Sequence, residues 1–475
     1  MTVLSIDQGT SGTKAIVVDD SGSVLALAEV PVHPRYLGSG GVEQDPAELL
    51  ASVLEAGRSA VAASGVAIDA VALANQGETV LAWDPATGGP LSPAIVWQDS
   101  RAQEVCDELA DHRGFVAART GLVLDPYFSA PKMTWLRRHV TREGVVTTTD
   151  SWLLHRLTGE FVTDVTTASR SLVMDLDAMR WDADLLDLFG LADERLPRIV
   201  ACDEVIGSTS AFGGDMPVTG LIVDQQAALL AEGCVDVGSA KCTFGTGAFL
   251  LANTGREATR SAHGLTASVA WRTQGETAYC LDGQVYTAAS AVRWMTDLGL
   301  VPSAQDMDDA AAPDSAGVLF VPSLAGLAAP WWRSDALASL SGLSLAATRG
   351  HLVRAVLEGI AAQVADLMRV FSADMGAPIN SLRVDGGLTR SSVLMQAQAD
   401  LLQVPVEVYP SSHATPIGAA ALARLALSPG SRLEDVLWTW EAAQVYTPQW
   451  SADRAADFLN RWRDAVEATL TGDRP

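Results

Sequence analysis

"TVLSIDQGTSGTKAIVV" (residues 2–18) contains an apolar strand, a turn of Gly9, Thr10, Ser11, Gly12 and Thr13, and a second apolar strand. Small residues between two apolar runs read as a hairpin. Such a turn exposes consecutive backbone N–H groups that can cradle phosphate oxygens, and its hydroxyls and Lys14 add a proton donor set and a cation. Asp7 ends the first strand, where a carboxylate is placed to hold Mg²⁺, directly or through water, beside phosphates. Taken alone, the turn is also an ordinary hairpin connection, and Asp7 an Asp that bonds its own backbone.

Working outward, the chain enters a third strand after an Asp-Ser-Gly turn and then "VEQDPAELLASVLEAG" (residues 42–57). The latter starts a helix, with Asp45 as N-cap, Pro46 at the first helical position and Glu48 placed to close a capping box. Strands alternate with helices to about residue 230, which indicates an α/β domain with a mixed sheet. A second unit begins near Cys234. There "AKCTFGTGAFLLANTG" (residues 240–255) repeats the strand, Gly-Thr-Gly turn and strand of the opening, now around Gly245, Thr246 and Gly247. The echo predicts two related domains facing each other, residues 1–230 and 231–475. A helix is predicted from Thr348 to Phe371, with Val353, Val356, Leu357, Ile360, Val364, Leu367 and Phe371 on its buried face. It is followed by strand, Gly386-Gly387 turn and helix, and then by a small-residue helix in "HATPIGAAALARLAL" (residues 413–427).

Bulk composition narrows the function classes. Of 475 residues, 48% are hydrophobic and 19% charged, and the net charge is −25. The acidity argues against nucleic acid or an anionic membrane as partner, since either favours a basic face. The five cysteines, Cys106, Cys202, Cys234, Cys242 and Cys280, are scattered and form no C-x-x-C pair, which suits a reducing cytoplasm. Asp7 comes too early for a signal peptide. The apolar run Val318–Trp332 is broken by Pro322 and Pro330 and is too short to span a bilayer. A cytoplasmic location is expected.

Two further segments carry chemistry. In "GLIVDQQAALLAEG" (residues 220–233) Asp224 follows an apolar run and opens a small-residue helix. It reads as a helix N-cap or as a base that accepts the proton of a hydroxyl attacking a phosphate. In "ALANQGETVLAWD" (residues 72–84) a carboxylate, two amides and a glycine stand between two strands that read as buried.

The motifs "IDQGTSGTKA", "VEQDP", "NQGET", "AIVWQDSRA", "DPYFS", "DQQAAL", "TFGTGAFLLANTG" and "RVDGGLTRSS", in this order and nearly end to end, resemble the FGGY carbohydrate kinases, and among them the glycerol kinases. The resemblance implies an α/β fold of two ribonuclease-H-like (actin-like, hexokinase-type) domains around a central cleft, and ATP- and Mg²⁺-dependent phosphorylation of a terminal hydroxyl of a small polyol or sugar. It implies Asp224 as general base, and Asp7 and Asp224 at the metal. It places Gly9, Thr10, Ser11, Lys14 and Thr246 at the phosphates, and Ala289, Arg293, Gly387 and Ser391 toward the rest of the nucleotide. Ala289 and Arg293 stand where the glycerol kinases usually carry Gly and Gln, and Ser391 where Asn is frequent. The acceptor set is Gly77, Glu78, Trp97, Tyr127, Asp224, Gln225 and Phe249. Gly77 is the departure, for an Arg is expected there.

An Arg supplies fixed donors to a polyol's oxygens. Its loss reads as an opened pocket for a four- or five-carbon polyol or ketose, or as a glycerol site in which water or another residue replaces the donors. A glycine that only relieves a tight backbone is a third reading. Beside the kinase stands a non-catalytic actin-like nucleotide-binding protein. The loop in "SAFGGDMPVTG" (residues 210–220) has no basic residue, so no control by fructose 1,6-bisphosphate is expected through it. The resemblance leaves a homodimer open.

Overall fold

The structure, a computed structural model, describes residues 1–471. Two twisted sheets carry the fold. In the first, the strands lie in the order Gly207–Thr209, Met216–Val223, Ala70–Asn75, Val3–Gln8, Gly12–Val18, Val24–Pro31. In the second, the order is Thr266–Arg272, Thr277–Val285, Ala248–Gly255, Ala240–Phe244, Leu382–Asp385, Val406–Val408, Gln444–Tyr446. Each sheet is built on the same rule. A hairpin pairs antiparallel, as Asp7 with Lys14 and Thr243 with Phe249, and a later strand returns parallel to its first arm, as Val3 with Ala70 and Ala240 with Leu382. The repeat expected from the two glycine turns is therefore a repeat of whole sheets.

The two buried strands around Gly77 prove to belong to different sheets. Ala70–Asn75 lies inside the first, and Val80–Trp83 pairs with Val145–Thr148 in a smaller five-stranded sheet. The turn Gln76–Thr79 carries the chain from one to the other, and Glu78 takes a positive φ of 56° there. A non-glycine residue in that region costs about 1–3 kcal/mol, and such strain persists where its surroundings fix it.

Two helices sit between the layers. Asp224–Ala231 packs against strands of both sheets, and Ala414–Ala426 packs on the first sheet although it comes late in the chain. The Ser5 hydroxyl donates to the Pro416 carbonyl at 2.6 Å. Small residues allow the close fit that the sequence suggested. A methyl group added at Gly418 would lie 1.9 Å from the Ala227 carbonyl oxygen, and one at Gly220 2.5 Å from that of Ala419.

Local expectations are met with three refinements. Asp45 caps its helix by accepting from Ala47 N–H, with Pro46 at the first position, but Glu48 closes no capping box: its carboxylate accepts from the His33 backbone and ring instead. The predicted helix 348–371 runs Arg349–Met375, because it is buried on several sides, including Glu358, Ala361 and Ala365, and so continues past its apolar stripe. The loop at residues 210–215 is a tight hairpin anchored by Phe212, which is buried against Gly57.

Gly418→Ala must push the two central helices apart. Overpacking of this kind costs about 1–3 kcal/mol, so the thermal midpoint followed by circular dichroism is expected to fall clearly. Gly114→Ala, in a helix with open space around it, is the control and is expected to leave the midpoint unchanged or slightly raised.

Candidate active site

The strand ends of the first sheet converge on one point. Asp7 leaves the strand Val3–Gln8, and Asp224 is the first residue of its helix, directly after Met216–Val223. It is not the N-cap, which is Val223; its carboxylate accepts from the Gln225 N–H at 2.7 Å. The two carboxylates feel each other. Burial, and then the charge of Asp224, push Asp7 up to about 7, against the pull of Lys14. Burial, and then Glu78, push Asp224 up to about 6, with Lys241 opposing. Two like charges held together in a desolvated place favour a cation beside them. Among the described residues no cluster of three metal-ligating side chains exists. Two carboxylates fit Mg²⁺, which commonly takes one or two and fills its shell with water and substrate phosphates.

Around Asp224 lies a small cavity of about 20 Å³ lined by Glu78, Tyr127, Asp224, Gln225 and Phe249, all expected, and by Arg170, Asp282 and Gln284, which were not. Trp97 closes it from the side, edge-on to Tyr127 at 5.6 Å and to Phe249 at 5.9 Å between ring centres. Lys132, fully buried, donates to the Pro126 carbonyl at 2.8 Å and to that of Phe128 at 2.6 Å, and so fixes the backbone that carries Tyr127. Lys241, also buried, donates to Gln225 Oε1 at 2.6 Å and Thr243 Oγ1 at 2.7 Å, which leaves the amide nitrogen of Gln225 as the end for an acceptor oxygen.

Arg170 answers the question that Gly77 raised. It follows the short helix Val165–Ala168, and its guanidinium donates to Glu78 through Nε and to Asp282 through Nη1. Arg170 is 4% exposed and Glu78 3%. A methyl group at Gly77 would lie 3.0 Å from Val223 Cγ2 and 4.0 Å from Arg170 Cδ. The volume freed by the missing side chain is thus partly occupied, and Arg170 brings five N–H groups into the same pocket, two of them bonded to Glu78 and Asp282. Burial opposes its charge, but Asp282 and Glu78 outweigh burial and hold its pKa well above the ordinary range. The sequence signal was a lone Arg in a run of small and apolar residues, "TTASRSLVM" (residues 166–174). A charge in such a run must be paired.

The phosphate turns are only partly as expected. The Thr10 hydroxyl accepts from Trp97 Nε1 at 2.9 Å and donates to Gln76 Oε1 at 3.0 Å, so its one donor hydrogen is engaged within the protein. Gly9 and the exposed Ser11 remain at the open turn. Lys14 donates to the Ser412 carbonyl at 3.2 Å, across to the second half of the chain. In the second turn Thr246 is exposed, and the helix Ala289–Asp297 begins directly behind it, with Ala289 N–H on the Gly245 carbonyl and Arg293 exposed one turn on. Further along, Gly387 is exposed, whereas the Ser391 hydroxyl is bound to Asp308, a residue the sequence reading passed over, and also caps the helix Ser392–Leu402. Thr246 lines a larger cavity of about 450 Å³ that shares Trp97, Tyr127 and Phe249 with the acceptor side.

Arg170→Met removes the guanidinium that bonds both Glu78 and Asp282. Leaving such a pair unmatched costs about 3–5 kcal/mol. Burial already raises Asp282 against the pull of Arg170, and without the guanidinium it rises further. Its protonation would favour folding, so the variant's deficit against the wild type should be largest near pH 8 and shrink as pH falls to 5. Denaturant melts at several pH values check this; a deficit that grows toward acid pH would contradict it.

Comparisons with known proteins show the family. Residues 2–231 match the N-terminal domain of the FGGY family of carbohydrate kinases, and residues 240–427 its C-terminal domain. A glycerol kinase of Aromatoleum aromaticum is 41% identical, with 98% of each chain covered. The glycerol kinase 2 of Thermotoga maritima is 38% identical over the same shares. Among solved structures, the Plasmodium falciparum glycerol kinase with ADP superposes with a TM-score of 0.91 at 32% identity, covering 99% of each chain. A xylulose kinase from Lactobacillus acidophilus shares the fold, with a TM-score of 0.91 at 22% identity and 99% of each chain covered. The chain belongs to the FGGY family of carbohydrate kinases, and it is a phosphotransferase acting on an alcohol group.

Proposed function

We propose that the enzyme phosphorylates a terminal hydroxyl of a glycerol-sized polyol at the expense of ATP, in the cytoplasm. The observation that carries this reading is the small polar pocket at Asp224, in which Arg170 stands in for the donors missing at Gly77. The glycerol kinase relatives support it further. Glu78, Gln225 and Arg170 bind the acceptor's oxygens, and Trp97, Tyr127 and Phe249 cover its carbon face. Asp224 takes the proton as the hydroxyl oxygen bonds to the γ-phosphorus; the bond from that phosphorus to the β–γ bridging oxygen breaks, and ADP leaves. Asp7 and Asp224 would hold Mg²⁺, which neutralises charge on the phosphates. Ser11 and, from the second turn, Thr246 would supply donors to those phosphates beside Gly9, whose N–H is bonded to the Gly12 carbonyl, and Ala289, Arg293, Gly387 and Ser391 would border the nucleoside.

A four- or five-carbon polyol or ketose is the second reading. It is favoured by the 450 Å³ cavity beyond Trp97, Tyr127 and Phe249, into which a longer tail could extend. ADP release measured over glycerol, erythritol, threitol, pentitols, tetruloses and pentuloses decides between them: glycerol is expected to give the highest kcat/KM. ATP turnover that depends on none of these would support a non-catalytic nucleotide-binding role instead.

Asp224→Asn is expected to lower kcat by about 10²–10⁴-fold, the usual worth of a positioned base, while nucleotide still binds in calorimetry. The base must be ionised to act. kcat/KM for the acceptor should therefore fall as pH drops through about 6, where burial and Glu78 place Asp224.

A further inference from the structure

Acceptor binding in the first half of the chain leaves one wall of the pocket unexplained. That wall is the strand Thr277–Val285 of the second sheet, from which Asp282 and Gln284 both line the cavity. Alternate residues of a strand share one face, so the two side chains project together. Both are almost wholly buried, at 4% and 2% exposure. Arg170 holds Asp282 Oδ2, and the Gln284 amide nitrogen reaches the same oxygen at 3.4 Å. Asp282 Oδ1 and Gln284 Oε1 have no hydrogen-bond partner. A buried unsatisfied acceptor costs about 1–3 kcal/mol, and two on one wall of a cavity call for donors from a ligand.

We propose that Asp282 and Gln284 are acceptor-specificity residues, reading hydroxyl hydrogens of the substrate, and that Arg170, which binds the acceptor itself, also holds Asp282 against Glu78. This rests on the polyol-kinase reading above and adds to it a chemical demand. Oδ1 and Oε1 accept only, so the group that meets them must donate. A hydroxyl does so, and a ketone oxygen does not. The wall therefore selects a polyhydroxy alcohol over the ketone of the same carbon number. Because Glu78 and Asp282 stand on opposite halves of the chain, the recognition set is complete only when both halves close on Arg170. A site built to bond a hydroxyl rejects the analogue without it far more strongly than an apolar pocket rejects an extra group.

The test compares glycerol with dihydroxyacetone, which differ at C2 by a hydroxyl against a ketone. Initial rates at saturating MgATP are measured for the wild type, Gln284→Leu and Asp282→Asn. The wild type is expected to favour glycerol in kcat/KM by at least tenfold. Gln284→Leu should raise KM for glycerol by about tenfold, leave KM for ATP within about twofold, and shrink the preference over dihydroxyacetone. Asp282→Asn should act in the same direction. Equal use of the two substrates by the wild type would overturn the proposal, as would an unchanged glycerol KM and preference in a folded Gln284→Leu. Should Asp282→Asn fail to fold, Gln284→Leu still decides. No turnover of any polyol by the wild type would instead sink the kinase reading on which the proposal stands, and the two failures are told apart in the same assay.

Discussion

The close crossing of the helices Asp224–Ala231 and Ala414–Ala426 sets the position of nearly everything else. At Gly418 the second helix approaches the Ala227 backbone more closely than any side chain would allow. Interiors packed to this density transmit displacement rather than absorb it. Asp224 begins the first of these helices, and the Pro416 carbonyl of the second is tied to Ser5, two residues before Asp7. The two carboxylates at the centre of the site are thus located by backbone contact between helices, and the strands deliver them to a point already fixed.

Charge in the acceptor pocket obeys a second constraint. Glu78, Asp224 and Asp282 bring three carboxylates into a desolvated space, with Arg170 among them and Lys241 close by. An unpaired charge in such a place is expensive. Arg170 couples Glu78 to Asp282, and Lys241 limits how far Asp224 is raised. Glu78 keeps a left-handed backbone in the middle of this set. Strain and buried charge are concentrated where a substrate is to be oriented, which is where proteins tolerate both.

Much of this was legible in the sequence. The two glycine turns and the strand-end carboxylates had short-range signatures, the aromatic trio came only with the family motifs, and the paired sheets followed from the turns. Arg170, Asp282 and Gln284 were not found, because each is one polar residue in an apolar or small-residue stretch, and its meaning arises only when strands far apart in the chain meet. Gly77 shows the same limit. A missing side chain reads as empty space along a sequence, but here the space borders Val223 and Arg170. Ser391 and Thr10 were placed by motif at the nucleotide; the hydroxyls of both prove to be engaged with Asp308, and with Trp97 and Gln76.

The bond from Trp97 to Thr10 has a consequence for how two substrates share one protein. In the proposed reading the indole belongs to the acceptor's aromatic cover and the threonine to the first phosphate turn; 2.9 Å separates their bonded atoms. Beyond Thr10, Gln76 extends the chain to Gln8 and Gln44. A ligand that shifts the indole therefore does work on the turn, and one that orders the turn does work on the indole. Such coupling is reciprocal by thermodynamic necessity. Whatever factor the nucleotide contributes to acceptor affinity, the acceptor returns to the nucleotide in equal measure.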